Sequence, residues 1–133
     1  MTIQAWLTGE SVQQRTAEQG FLTKVAPSTP VSLVGATLCP TDLIVCTTIG
    51  AAGAVRVLGG SDTTNAAGNP NGPCLVGDTM TIANHTGQNV TIYPNNSLGT
   101  VKNQSAGTGF LIATGLTAVL TYFGSDSWTL NAS

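Results

Sequence analysis

From residue 31 onward the chain is a series of short β-branched and apolar runs. Gly, Asn, Asp or Pro separate them at intervals of roughly 8 to 12 residues, the spacing of sheet proteins built from short strands. The runs predict strands at 31–34, 43–49, 54–58, 79–83, 89–93, 110–112, 118–123 and 127–130. Within them polar and apolar positions alternate: Met80 and Ile82 share one face and Thr79 and Thr81 the other, and Val90 and Ile92 oppose Asn89 and Thr91 in the same way. One face is core and the other is rich in threonine. Asn84-His85-Thr86-Gly87 and Gly124-Ser125-Asp126-Ser127 fall where hairpins reverse, with residues that tolerate positive φ or bond their own backbone. No helix is needed. The expected fold class is all-β: a single compact antiparallel barrel or sandwich, with a jelly roll among the topologies.

The first residues have a different texture. Between the apolar pairs Trp6-Leu7 and Phe21-Leu22, only Val12 and Ala17 are apolar, so no continuous i, i+3, i+4, i+7 stripe exists to pack a helix on a core. Pro27 and Pro30 then favour an extended connector. This predicts an N-terminal arm, or one marginal helix, over 1–26 and a β-body over 27–133. Within the body, 59–73 holds four Gly, three Asn and two Pro, which predicts a projecting loop, either a contact loop or a solvated connector.

Composition narrows the class. The chain has 21 Thr, 16 Gly and 9 Asn against ten charged residues, and 41% of it is hydrophobic, too apolar and too poor in charge for a disordered chain. With 133 residues it forms one domain and can bury a core without disulfide or metal. Net charge is −2, and Arg15, Lys24, Arg56 and Lys102 are scattered singly, so no basic stripe tracks a phosphate backbone and nucleic acid is not an expected partner. The longest apolar stretch, 110–123, falls short of the roughly 20 residues of a membrane helix, and the N-terminus has no signal-peptide pattern; the expectation is a protein that stays where it is made, without a membrane span.

Catalytic chemistry is thinly supplied. Cys39, Cys46 and Cys74 read as reduced buried thiols, with a Cys39–Cys46 bridge left open. Together with His85 they lack the short knuckle spacings of a zinc site. His85 reads as a turn residue, and Asp62, Asp78 and Asp126, beside Gly or Ser, read as turn caps. Asp62 with Asn65 and Asn69 lacks the acid density of a calcium loop. The sequons at Asn84, Asn89, Asn95, Asn103 and Asn131 follow from composition alone. No cofactor, metal or catalytic set is expected, and the chain reads as a non-enzyme. Strands so poorly guarded by charge invite pairing with other chains, which a closed symmetric oligomer resolves.

The stretch from Gly77-Asp78-Thr79 through Asn84-His85-Thr86-Gly87 to Val90-Thr91-Ile92-Tyr93-Pro94 resembles a β-module of tailed-bacteriophage virion proteins, in which a strand ending in Asn-x-Thr/Ser-Gly turns into one ending in Tyr-Pro. The likeness continues through Gly99-Thr100-Val101, Ala106-Gly107, a Gly115-centred turn and Gly124-Ser125-Asp126-Ser127-Trp128, covering a little under half the chain. No fibre-like shaft follows, so the chain looks most like a capsid decoration, or cement, protein. The resemblance implies a homotrimer on the outer capsid surface of a virion, made in the host cytoplasm, with the major capsid protein as partner and no catalytic residues. Trp6, Leu7, Phe21 and Leu22 are the candidate capsid contacts of the arm, since large apolar side chains in a polar segment are typical interface anchors. The alternative is a glycan-binding adhesin, or a tail- or head-fibre tip module, stacking sugars on Tyr93, Tyr122 or Trp128.

Overall fold

The computed structural model describes residues 22–59 and 74–133, and among them are nine strands and no helix. They are β1 (Thr23–Val25), β2 (Thr37–Leu38), β3 (Leu43–Cys46), β4 (Gly53–Arg56), β5 (Thr79–Asn84), β6 (Val90–Tyr93), β7 (Phe110–Ile112), β8 (Thr117–Gly124) and β9 (Ser127–Ala132). Two sheets form, in the orders β1-β3-β5-β8-β9 and β2-β4-β6-β7, and neither closes into a barrel. The all-β sandwich expected from the alternation is present.

The antiparallel pairing expected with it is only partly so. β1, β3 and β5 are parallel neighbours in one sheet, and β2, β4 and β6 are parallel neighbours in the other. Successive strands therefore alternate between sheets, and the chain winds through three turns of a flattened two-layer coil. A parallel pair needs a crossover, and here the crossover is the strand of the opposite sheet. One turn advances 21 positions, from Thr23 to Ile44; the next advances 38, from Ile44 to Ile82, and most of the excess is the 59–73 loop. Only β6–β7, β5–β8 and β8–β9 pair antiparallel.

The segment 84–87 is accordingly not a hairpin but an arch from β5 in one sheet to β6 in the other. Asn84 falls in phase with Met80 and Ile82, and all three side chains are buried. Its amide donates to the carbonyls of Gln88 (2.9 Å) and Ile112 (3.1 Å), while its Oδ1 accepts from the Thr86 backbone N–H (3.0 Å) and hydroxyl (2.7 Å). Both donors and the carbonyl oxygen are thus satisfied where the chain leaves one sheet for the other. The 124–127 reversal is a hairpin as expected, with Ser125 and Asp126 both at positive φ, the requirement of a tight reversal that matches strand twist.

Two further expectations change. Residues 31–34 form no strand and lead into a turn over 33–35, with Gly35 N donating to Ser32 Oγ and Val34 95% exposed, because β-branched residues make a strand only where a neighbour supplies partners. Conversely, β1 lies inside the segment assigned to the arm: Val25 is buried and its carbonyl accepts from Thr47 N. Thr23–Val25 therefore belong to the β-body, not to an arm ending at 26.

The layers enclose one core, with Ile44, Met80, Ile82, Leu120 and Trp128 from the five-stranded sheet against Val55, Val90, Ile92 and Ile112 from the four-stranded one. The stack has two ends. At the arch end lie the short crossings 47–52, 85–89 and 113–116. At the loop end lie the two longest connections, 57–78 and 94–109, together with the β8–β9 turn. Among the described residues no helix is long and apolar enough to cross a membrane.

Candidate functional site

Three connections are bonded together at the loop end. Asn95 donates its amide to Val57 O (3.0 Å), and Arg56 donates to Asn95 O (3.0 Å). Asn96 donates to Asp126 Oδ2 (2.9 Å), while its Oδ1 accepts from Leu98 N and Gly99 N. Tyr122 Oη accepts from Asp126 N (2.9 Å), and Trp128 Nε1 donates to Leu58 O (3.1 Å). Two glycines permit this approach. A Cβ on Gly99 would lie 2.0 Å from the Asp126 carbonyl oxygen, and one on Gly59 2.6 Å from Asn95 Cγ. Cys74 N donates to Gly59 O, so the two ends flanking 60–73 meet at one point; residues 60–73, where the sequence predicts a projecting loop, lie outside the described residues.

These bonded turns hold apolar side chains out in solvent. In the 75–78 turn, Asp78 Oδ2 accepts from Leu75 N (2.8 Å), Gly77 N donates to Tyr122 O and Asp78 O accepts from Tyr122 N. That turn is fixed to β8, yet Leu75 is 70% and Val76 73% exposed. Leu98, in the turn organised by Asn96, is 82% exposed, and Phe123, beside the hairpin, 55%. Val76 and Leu98 thus flank the β8–β9 turn on segments already ordered, so a partner covering them need not order backbone as well.

Of the expected arm contacts, Trp6, Leu7 and Phe21 lie outside the described residues. Leu22 is 57% exposed and directly precedes β1, which runs parallel to β3, so the N-terminal segment joins the body at the loop end. Sequence reasoning did not single out Leu75, Val76, Leu98 or Phe123. The available signal was an apolar pair between a Gly/Asn/Pro loop and a Gly-Asp turn.

Two of the three expected stacking platforms are inside the protein. Trp128 is fully buried and Tyr122 nearly so, meeting edge to face with ring centroids 5.1 Å apart; Tyr93 is half-buried. An open groove of about 460 Å³ runs beside β9, bordered by Lys102, Asn103, Phe123, Thr129 and Leu130. Lys102 Nζ lies 3.4 Å from Leu130 O and 5.1 Å from the centre of the Phe110 ring.

The titratable groups are dispersed. His85 is exposed at the arch end, while Asp42, Asp78 and Asp126 lie at the loop end, a full strand away. All three cysteines are free and buried. Burial pushes the thiols up, Cys46 to about 11 and, with nearby carboxylates adding, Cys74 to about 12; Cys39 is raised further by burial and by Cys46. None is a thiolate at neutral pH, and thiolate is the nucleophilic form. Among the described residues no three His, Cys, Asp or Glu side chains converge as metal ligands.

Asp42 Oδ1 is enclosed and has no hydrogen-bond partner among the described residues. Burial, with the neighbouring Asp78 carboxylate adding, raises its pKa from the ordinary 3.8, against a smaller lowering by its own backbone N–H. The folded state therefore holds this proton more tightly than the unfolded chain. Stability falls as pH rises from 3.8 through the raised value, and the loss is complete above it. Asp42→Asn removes that loss, so its Tm should exceed the wild type's at pH 7 and converge on it near pH 4. A Tm difference independent of pH across that interval would contradict this.

No family model matches the chain, and comparison with curated proteins and with solved structures yields no match either.

Proposed function

We propose that the chain is a structural virion protein, a capsid decoration protein that seats on the outer shell as a homotrimer and reinforces it by binding across subunits of the major capsid protein. The observation that carries this reading is the loop end: Leu75, Val76, Leu98 and Phe123 held in solvent by hydrogen-bonded segments. Exposed apolar groups on an ordered framework suit a rigid partner surface better than a small ligand. The N-terminal segment joins the body at the same end through Leu22, and the reading assigns Trp6, Leu7 and Phe21 of that segment as further anchors. Such a protein needs no catalytic centre, and it acts on the virion after synthesis in the host cytoplasm.

The test uses particles lacking this component, with bound copies counted after addition of wild type, of Val76→Asp with Leu98→Asp, and of a chain beginning at Thr23. Losing a large anchor from an interface commonly costs about 1–2 kcal/mol, a factor of roughly 5 to 30 in affinity. The double variant should therefore lose occupancy at least tenfold while its Tm stays within about 2 °C of wild type, because both side chains are exposed. Full occupancy by the double variant and the truncated chain alike would overturn the reading. So would a cryo-EM map placing a few copies at the tail instead of hundreds on the shell, which would favour an adhesin.

A further inference from the structure

We infer that the outer edge of β9 takes an added strand: an extended peptide segment of a partner protein, carrying a carboxylate that pairs with Lys102. The mode of binding stands apart from the proposed function, whereas the donor, an extended segment of the major capsid protein, rests on it.

β9 is an edge strand, with β8 on one side and, among the described residues, no strand on the other. Thr117 and Ser133 exchange both of their backbone bonds, so the odd-numbered residues of β9 face β8, while Trp128, Leu130 and Ala132 turn their N–H and C=O groups outward. Segment 100–102 occupies the first of these positions: Trp128 N donates to Thr100 O, and Trp128 O accepts from Lys102 N. It then turns away. Lys102 and Asn103 both stand at positive φ (50° and 59°), and Gln104 N donates to Val101 O, closing a tight reversal. Leu130 and Ala132 lie beyond the end of that line, without a neighbouring strand among the described residues. A short pairing is enough in this fold, since the edge strands β1 and β7 have three residues each.

The Lys102 side chain lies across the line that the backbone leaves. Its ammonium sits 3.4 Å from Leu130 O and 5.1 Å from the centre of the Phe110 ring, on the edge strand of the other sheet, and it has no acidic partner among the described residues. Left-handed backbone is strained for lysine, and such strain gathers at binding sites. Here it aims a cation with three donors along an open edge. A lysine on an edge discourages indiscriminate pairing, so it favours a strand that brings a carboxylate. The groove beside β9, about 460 Å³ and bordered by Lys102, Phe123 and Thr129, receives side chains of that strand. Phe123 also belongs to the loop end, so the groove continues the surface assigned to the shell. A saccharide fits less well: the Trp128 ring is fully buried, and the outward groups of Leu130 and Ala132 have the spacing of a peptide backbone.

The test is isothermal titration calorimetry with the peptide Val-Thr-Val-Thr-Glu, acetylated and amidated so that the Glu side chain carries its one charge. Wild type should bind it saturably, and Gln in place of the peptide's Glu should weaken binding about fivefold. Lys102→Gln should bind the two peptides alike, with wild-type circular dichroism because the side chain is exposed. N-methylation of alternate peptide nitrogens reads strand addition without altering the protein: in one phase it should weaken binding roughly tenfold, in the other far less. No binding by wild type, a preference for Glu that survives Lys102→Gln, or N-methylation indifferent to phase overturns the strand site, as does an oligogalacturonate that binds more tightly than the peptide. The donor is read from particles lacking this component, where Lys102→Gln should reach about fivefold lower occupancy than wild type. Undiminished occupancy, with the peptide results as expected, overturns the capsid protein as donor. Failed peptide binding, with occupancy still lost in Val76→Asp with Leu98→Asp, overturns the strand site and leaves the decoration reading standing.

Discussion

Asn84→Leu should lower the melting temperature by roughly 10–20 °C, at about 3–4 °C for each kcal/mol lost. The side chain is fully buried, and its amide bonds the Gln88 and Ile112 carbonyls while its oxygen takes the Thr86 N–H. Leucine matches the volume but satisfies none of these groups. Each buried donor or acceptor left without a partner costs about 1–3 kcal/mol, and the Thr86 hydroxyl can turn to Gln88 O, so the net loss is about 3–5 kcal/mol. For a domain of this size that is about 3–4 °C per kcal/mol. Asn84→Asp should fall between the two, because it keeps the acceptor for Thr86 but presents a carboxylate to the Ile112 carbonyl. Thermal melts by circular dichroism read all three. A loss under about 1 kcal/mol for Asn84→Leu would show that the arch stands on its backbone bonds alone.

Trp128→Ala should cost about 3–5 kcal/mol, the range for emptying a fully buried aromatic site. The indole meets Tyr122 edge to face and donates to Leu58 O, so its removal opens a cavity and orphans a carbonyl just after β4. Trp128→Phe keeps most of the packing and loses only the donor, at about 1–2 kcal/mol. The damage should also reach 94–109, because the Trp128 backbone donates to Thr100 O and accepts from Lys102 N. Urea titration with hydrogen exchange measures both effects. Amides of 99–104 that stay as protected in Trp128→Ala as in wild type would contradict the coupling.

The sequence by itself determined that this is an all-β protein with a threonine-rich outer side, because alternation with period two is a property of each strand alone. It placed β5 to β9 closely, and it placed the 124–127 hairpin, whose positive-φ positions are local chemistry. It also held signals that local rules do not decode. Asn84 stands in phase with Met80 and Ile82, where a polar residue is tolerated only if the chain bends inward around its amide. The apolar pair Leu75-Val76 is one that a core pattern would have buried. Pairing was decided only in the tertiary structure. A hairpin and an arch draw on the same turn residues, and they differ in whether the second strand bonds the first or crosses to the other layer. That choice is made by contacts dozens of residues apart, such as Ile44 lying between Thr23 and Ile82. The short edge strands β1 and β2 exist only because β3 and β4 supply partners, and the 31–34 run, with none, forms no strand. The candidate site followed the same rule. Leu75, Val76, Leu98 and Phe123 come from three separate stretches of chain, and they share one end because parallel winding sends both long connections there.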